Sequence, residues 1–157
     1  RATQDVDVMS TRAAELAEEL GAWLANRFHI AVRVREIKEG AGYRIFQLQK
    51  DGNRHLVDVR AVSSFPGMGR LDGVQVLAPA DLIASKVISF RMRQGKPKSG
   101  TDWRDLALLL LAFPELKTDP GPVTDCLLAS GANTAILDVW RELVAQELIP
   151  ETEDDDF

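Results

Sequence analysis

The 157-residue sequence holds a single cysteine, Cys126, so no disulfide can form within one copy of the chain. Its neighbours, Val123 to Leu128, read as helix core, and a buried structural thiol is expected there rather than a reactive one. This cysteine usage fits a reducing, cytoplasmic compartment. The two histidines, His29 and His55, are too few and too scattered for a histidine-based metal cluster. No apolar run approaches the roughly 18 residues of a membrane-spanning helix, so no membrane partner is expected. Positive charge does not dominate either. The net charge is −5, which argues against a protein that coats nucleic acid over its whole surface but leaves room for a local basic site. Part of the acid is concentrated in residues 151–156, Glu-Thr-Glu-Asp-Asp-Asp, and residues 151–157 read as a solvated, disordered tail. No Ser/His/Asp or Cys/His nucleophile arrangement is visible, and Gly67-Met-Gly69 is too short for a phosphate loop.

What is present is the material of a soluble globular protein. A 45% hydrophobic and 27% charged composition is ordinary for that class. A chain of this length can withdraw about two-thirds of its unfolded surface from water. One domain is expected over residues 1–150, with a sheet-rich part to 78 and a helical part from 79.

Asp5-Val-Asp-Val-Met9 alternates and reads as a strand. Ser10 or Thr11 can cap a helix in which Ala13, Leu16, Ala17, Leu20, Trp23, Leu24 and Phe28 recur at helical spacing. Three strands are expected next, over 30–37, 43–49 and 55–62, with the Asp-Gly of Lys50-Asp-Gly-Asn53 marking a hairpin turn. Residues 63–69 read as loop and 73–77 as a short strand. Helices are expected over 81–94, 102–112, 123–130 and 135–148. The 102–112 helix is apolar nearly all round and so expected to be buried. The three tryptophans fall on these helices and read as core or interface anchors.

Two carboxylates two apart on a strand project to one face. Side by side, Asp5 and Asp7 repel unless a cation lies between them, and a hard, oxygen-bound ion such as Mg²⁺ suits that arrangement. Asp58 sits within Leu56-Val-Asp-Val59, where an unpaired charge is costly. A structural salt bridge would satisfy it. If its strand lies beside the first, the three acids converge and could hold metal and activate a hydroxyl for attack on phosphorus.

Lys86 falls inside the apolar arc of its helix, between Leu82 and Ile83. It therefore needs an anionic partner: Asp58, Asp5, Asp7 or a bound phosphate. Arg93 lies near the same arc. Arg91, Arg93, Lys96 and Lys98 make a basic segment that is either solvated loop or a phosphate or RNA contact. Asp102 and Asp105 open a helix, where acids offset the exposed N–H groups, and Asp105 could instead pair with Lys86 or Arg93.

Arg1-Ala-Thr-Gln-Asp-Val-Asp-Val8 resembles the metal-binding motif of the polymerase-beta-like nucleotidyltransferases, and looks most like the AbiEii-type, abortive-infection toxin branch. Val57-Asp-Val59 matches that family's third acid. Leu82-Ile-Ala-Ser-Lys86, Lys96-Pro-Lys98 and Asp102-Trp-Arg-Asp-Leu106 resemble a later segment of the same branch. The resemblance spans residues 1–112. It implies an α+β fold, a nucleotidyltransferase-like mixed sheet flanked by helices and followed by a C-terminal helical segment. It implies Mg²⁺ at Asp5, Asp7 and Asp58, with these and Lys86 catalytic, and an NTP contacted by Thr3, Arg93, Lys96, Lys98 and Asp105. It further implies transfer of NMP to a hydroxyl on RNA or protein, and an antitoxin partner if the protein is a toxin. The family's Gly-Gly or Gly-Ser turn, which cradles the triphosphate, would fall upstream of Arg1; its presence there would favour the enzyme, and a protein that never had it would favour an inactive module. The alternative is a catalytically inactive module of the same fold that binds a partner. Three acids on one face speak for the enzyme, because binding alone does not require them.

Overall fold

The computed structural model describes residues 6–37 and 39–150, and the chain divides into two units, the first running to Phe65 and the second from Pro66.

The first unit is a mixed four-stranded sheet with one helix. Its elements are β1 (Val6–Ser10), α1 (Ala13–Phe28), β2 (Val32–Ile37), β3 (Gly42–Gln47) and β4 (Arg54–Ala61). The spatial order is β1-β4-β3-β2. β2, β3 and β4 form an antiparallel meander, and β1 lies parallel to β4 at the edge. Parallel neighbours need a long connection, and α1 with the meander supplies it.

One sheet face is apolar and meets α1. Ile45, Val57 and Val59 bury against Ala13 and Ala17, with Val8, Val32, Val34 and Tyr43 at the margin. Small residues on α1 permit the approach: a Cβ added to Gly21 would come 2.9 Å from a Val34 methyl. At the C-terminus His29 takes the left-handed conformation, φ 52°, a common way to end a helix. The start differs from the expected cap. Ser10 Oγ accepts from the Arg12 amide at 3.0 Å, one residue before α1 begins, and no side chain caps the helix itself. Trp23 and Phe28, both on the apolar face read for α1, are not part of the core. Both stay more than half exposed, edge to face with each other at 5.8 Å, because the strip of α1 that the sheet covers is narrower than its apolar periodicity.

The second unit opens with a hairpin, β5 (Met68–Leu71) and β6 (Val74–Leu77). The first two residues of β5 fall in the stretch read as loop, 63–69, and the strand runs on to Leu71. Asp72 and Gly73 both have positive φ, 50° and 82°, as a two-residue hairpin turn of the primed type requires. Four helices follow: α2 (Pro79–Met92), α3 (Ser99–Ala112), α4 (Pro122–Ala129) and α5 (Thr134–Ala145). Proline at the first position of α2 and of α4 sits where an amide is not needed. Asn133 caps α5 by accepting from the Ile136 amide.

These helices share one core, in which Ile83, Val87, Leu106, Leu110, Val123, Leu127 and Trp140 are all but sealed from solvent. Trp140 donates its indole N–H to Thr124 Oγ1 at 3.1 Å, and that hydroxyl donates to Asp119 at 2.7 Å, so the buried polar end is satisfied. α3 is not buried all round: Leu106 and Leu110 face the core, while Leu108 is 58% exposed. Among the described residues no helix is long and apolar enough to cross a membrane. The architecture is α+β, a mixed sheet with a covering helix followed by a helical segment.

Candidate functional site

The face of the first sheet opposite α1 is polar, and strand register arranges it. Asp7 lies directly across from Asp58 on the parallel β1–β4 pair. Asp58 in turn lies across from Arg44, and Arg44 from Arg35. One row therefore runs Asp7, Asp58, Arg44, Arg35, with the acids at the β1 side and the arginines toward the β2 edge. The adjacency that the three-acid arrangement requires, β1 beside β4, is present. Asp5 and Thr3 lie outside the described residues.

Asp58 is held firmly. Arg44 donates from Nε to Oδ1 at 2.7 Å and from its terminal nitrogen to Oδ2 at 2.9 Å, the two-pronged geometry that makes arginine–carboxylate pairs strong. His55 donates through Nε2 to Oδ1 at 3.0 Å. The register shift between Ile45 and Phe46 puts two β4 residues against one of β3, so that His55 shares a face with Asp58. Burial raises the Asp58 pKa, but the Arg44 hydrogen bonds and the nearby charge of His55 and Arg44 outweigh it and bring the carboxyl below its ordinary range. Asp58 is thus ionised and its charge balanced. Asp7 is exposed.

Arg44 was not legible as a site residue. Its signal lies in the alternation of β3: Tyr43 and Ile45 point to the core, so Arg44 faces the other way, toward Asp58.

Magnesium is the ion that the resemblance implies. Two hard carboxylates facing one side of a sheet are the donor chemistry it takes. Both Asp58 oxygens already accept hydrogen bonds, and among the described residues no three His, Cys, Asp or Glu side chains group to hold a metal. A three-acid site needs Asp5, and it needs Asp58 to exchange Arg44 for the ion.

Lys86, Arg93, Lys96, Lys98 and Asp105 belong to the second unit. Lys86 Nζ donates to Asp105 Oδ2 at 2.5 Å, and each side chain is about a third exposed. The anion that Lys86 needs is supplied by α3 of its own unit. Arg93, at the end of α2, places one terminal nitrogen 2.8 and 2.9 Å from the two oxygens of Asp102, whose side chain is 5% exposed. Asp102 lies in the first turn of α3, which begins at Ser99, and there its carboxylate is buried against Arg93. Of the four charges in the basic segment, Arg93 is committed to this pair, while Lys96 and Lys98 are exposed in the connection between α2 and α3.

No protein-family model matches the chain. No curated protein matches it. Among solved structures it is similar to an antigenic nucleotidyltransferase-like protein from Paracoccidioides brasiliensis, at 19% identity, over 88% of this chain and 75% of that one, with a TM-score of 0.42. A likeness of that size does not carry activity over.

Proposed function

We propose that this chain is a Mg²⁺-dependent nucleotidyltransferase, moving NMP from an NTP to a hydroxyl on RNA or protein. The observation behind this is the register that sets Asp7 across from Asp58 on the open face of the sheet. All residues that carry the reading lie in the first unit or just before β1.

In this reading Asp5, Asp7 and Asp58 hold the ion. When bound, Mg²⁺ supplies charge neutralisation at the triphosphate and makes the attacking hydroxyl easier to deprotonate. The hydroxyl oxygen bonds to the α-phosphorus as its proton passes to water, the bond from the α-phosphorus to the oxygen bridging to the β-phosphorus breaks, and pyrophosphate leaves with that oxygen. Arg44 and His55 keep Asp58 ionised, the form in which a carboxylate binds a cation. Arg44, once it releases Asp58, is placed to neutralise a phosphate. Lys96 and Lys98 are exposed; as substrate contacts they are part of what the resemblance implies, and the reading does not rest on them. The Leu82 to Leu106 resemblance supports the AbiEii-type branch, in which the protein would be a toxin with an antitoxin partner.

A second reading is a catalytically inactive binding module of the same fold. What favours it is the closed Arg44–Asp58–His55 set, which already neutralises the acid most central to the site.

The test is transfer of labelled NMP from each NTP, with Mg²⁺ titrated and Asp7→Asn compared. Transfer that depends on Mg²⁺ and disappears in the variant is expected. Undiminished transfer in Asp7→Asn would sink the assignment, and no transfer from any NTP would favour the module.

A further inference from the structure

The acids occupy only one side of the open face. Beyond Arg44 the register continues to Arg35, and the adjacent row runs His55, Phe46, Arg33. Arg60 lies on the same face of β4, two residues past Asp58. Arg33, Arg35 and Arg60 are exposed. None of the three makes a side-chain hydrogen bond or ion pair among the described residues. Among the described residues Arg54, Arg70, Arg91 and Arg104 likewise make none, whereas Arg12 pairs with Glu15, Arg93 with Asp102, and Arg141 with Asp119 and Asp138; what sets Arg33 and Arg35 apart is their place beside Phe46.

Phe46 lies across from Arg33, with Arg35 diagonal to it, while Arg60 lies beyond Asp58, across from Gly42. Phe46 is half-buried but is not among the residues packed on the core of its unit. Its ring lies 5.7 Å from that of His55. Exposed guanidinium groups beside an aromatic ring on a sheet face are the elements with which proteins bind single-stranded nucleic acid: charge for the backbone, a ring for a splayed base.

We propose that this face binds single-stranded RNA, with its backbone along Arg33 and Arg35 and one base against Phe46. Given the transferase reading above, this makes the acceptor hydroxyl an RNA hydroxyl rather than a protein one. The row order then brings that hydroxyl toward Asp7 and Asp58. An acidic protein segment would use the arginines but has no use for the ring. A duplex keeps its bases stacked and out of reach of Phe46. β2 is an edge strand, and charge there also discourages strand pairing between copies. That accounts for Arg33 and Arg35 but not for Phe46 or Arg60.

The experiment is fluorescence anisotropy of a labelled single-stranded RNA of about ten nucleotides, within the range one small module covers, over a salt series with the full chain. Wild type should bind, more weakly as salt rises. In an Arg33→Gln, Arg35→Gln double variant, the slope of log K against log salt should shrink by about 1.4, at about 0.7 for each lost contact to a single strand. Phe46→Leu should weaken binding about tenfold with the slope unchanged, since stacking releases no counterions. An unchanged thermal transition in each variant separates lost contacts from lost fold. The proposal falls if wild type does not bind, if either variant matches it, or if a duplex or an acidic peptide competes as well as the single strand. Asp7→Asn should still bind the RNA. Binding there without transfer from any NTP in wild type would retain the RNA face and reject the transferase.

Discussion

Arg44 and Asp58 face each other across the β3–β4 ladder and share two hydrogen bonds, at 2.7 and 2.9 Å, with His55 adding a third to the same carboxylate. The arrangement settles how a charge tolerates the middle of an apolar strand: it leaves the core side to Val57 and Val59 and is matched on the other.

That pairing makes stability depend on acid pH. The folded state holds Asp58 below its ordinary pKa of 3.8, so folding favours the ionised form. The stabilisation is present above that ordinary value and is lost as pH falls through the lowered folded one. Asp58→Asn should cost on the order of 1 kcal/mol at neutral pH, because both partners are partly exposed. In urea melts across acid pH, the gap between wild type and variant should close as pH drops. A constant gap would show that Asp58 contributes through shape and not charge.

The Arg93–Asp102 pair should behave differently, since Asp102 is nearly sealed from solvent. Arg93→Ala leaves a buried carboxylate unpaired and should cost about 3 kcal/mol. Replacing both residues by leucine should cost less than the single change, because no charge is then stranded. Denaturant midpoints of the three proteins decide this, and equal losses for the single and double variants would refute it.

Cys126 should be a poor nucleophile. Burial raises its pKa above the ordinary 9.0, and the negative charge of Asp81, with its hydrogen bond, and of Asp125 raise it further. Only the thiolate reacts, so alkylation at neutral pH should be much slower than for a free thiol and should accelerate only above the ordinary value. Asp81→Asn should speed it. Rapid labelling of the native protein at neutral pH would contradict this.

Gly42 is required by close approach. A Cβ there would stand 2.7 Å from the Val59 carbonyl oxygen, a backbone atom that cannot swing aside. Gly42→Ala should destabilise by about 1–3 kcal/mol, read as a drop in the thermal midpoint, and it should leave the spacing of β3 and β4 disturbed near Asp58.

Much of the fold was legible because its signals are local. The alternation in β2, β3 and β4, the helical periodicity of α1 and α2, and the Asp-Gly turn before β4 each involve residues close in sequence. β5 was not legible. Met68–Leu71 is short and does not alternate, and only Asp72-Gly73 marks its turn. Leu108 is expected to be buried with the rest of its helix but is exposed, because an apolar pattern identifies a face but not how much of it a neighbour covers.

The candidate site divides the same way. That Asp7 and Asp58 are strand residues, each aimed away from the apolar side chains beside it, follows from alternation in the sequence. So does the need of Lys86 for an anion. Which partners they obtain does not. Asp7 meets Asp58 only because β1 closes the far edge of a meander that begins after α1, and Asp58 meets Arg44 only through the β3–β4 register, with a bulge adding His55. Lys86 meets Asp105 only because α2 and α3 share a core. Local pattern sets which face a side chain takes. Contacts between residues far apart in sequence depend on how whole elements close on one another, and those contacts decide whether an acid stands beside another acid, an arginine or both.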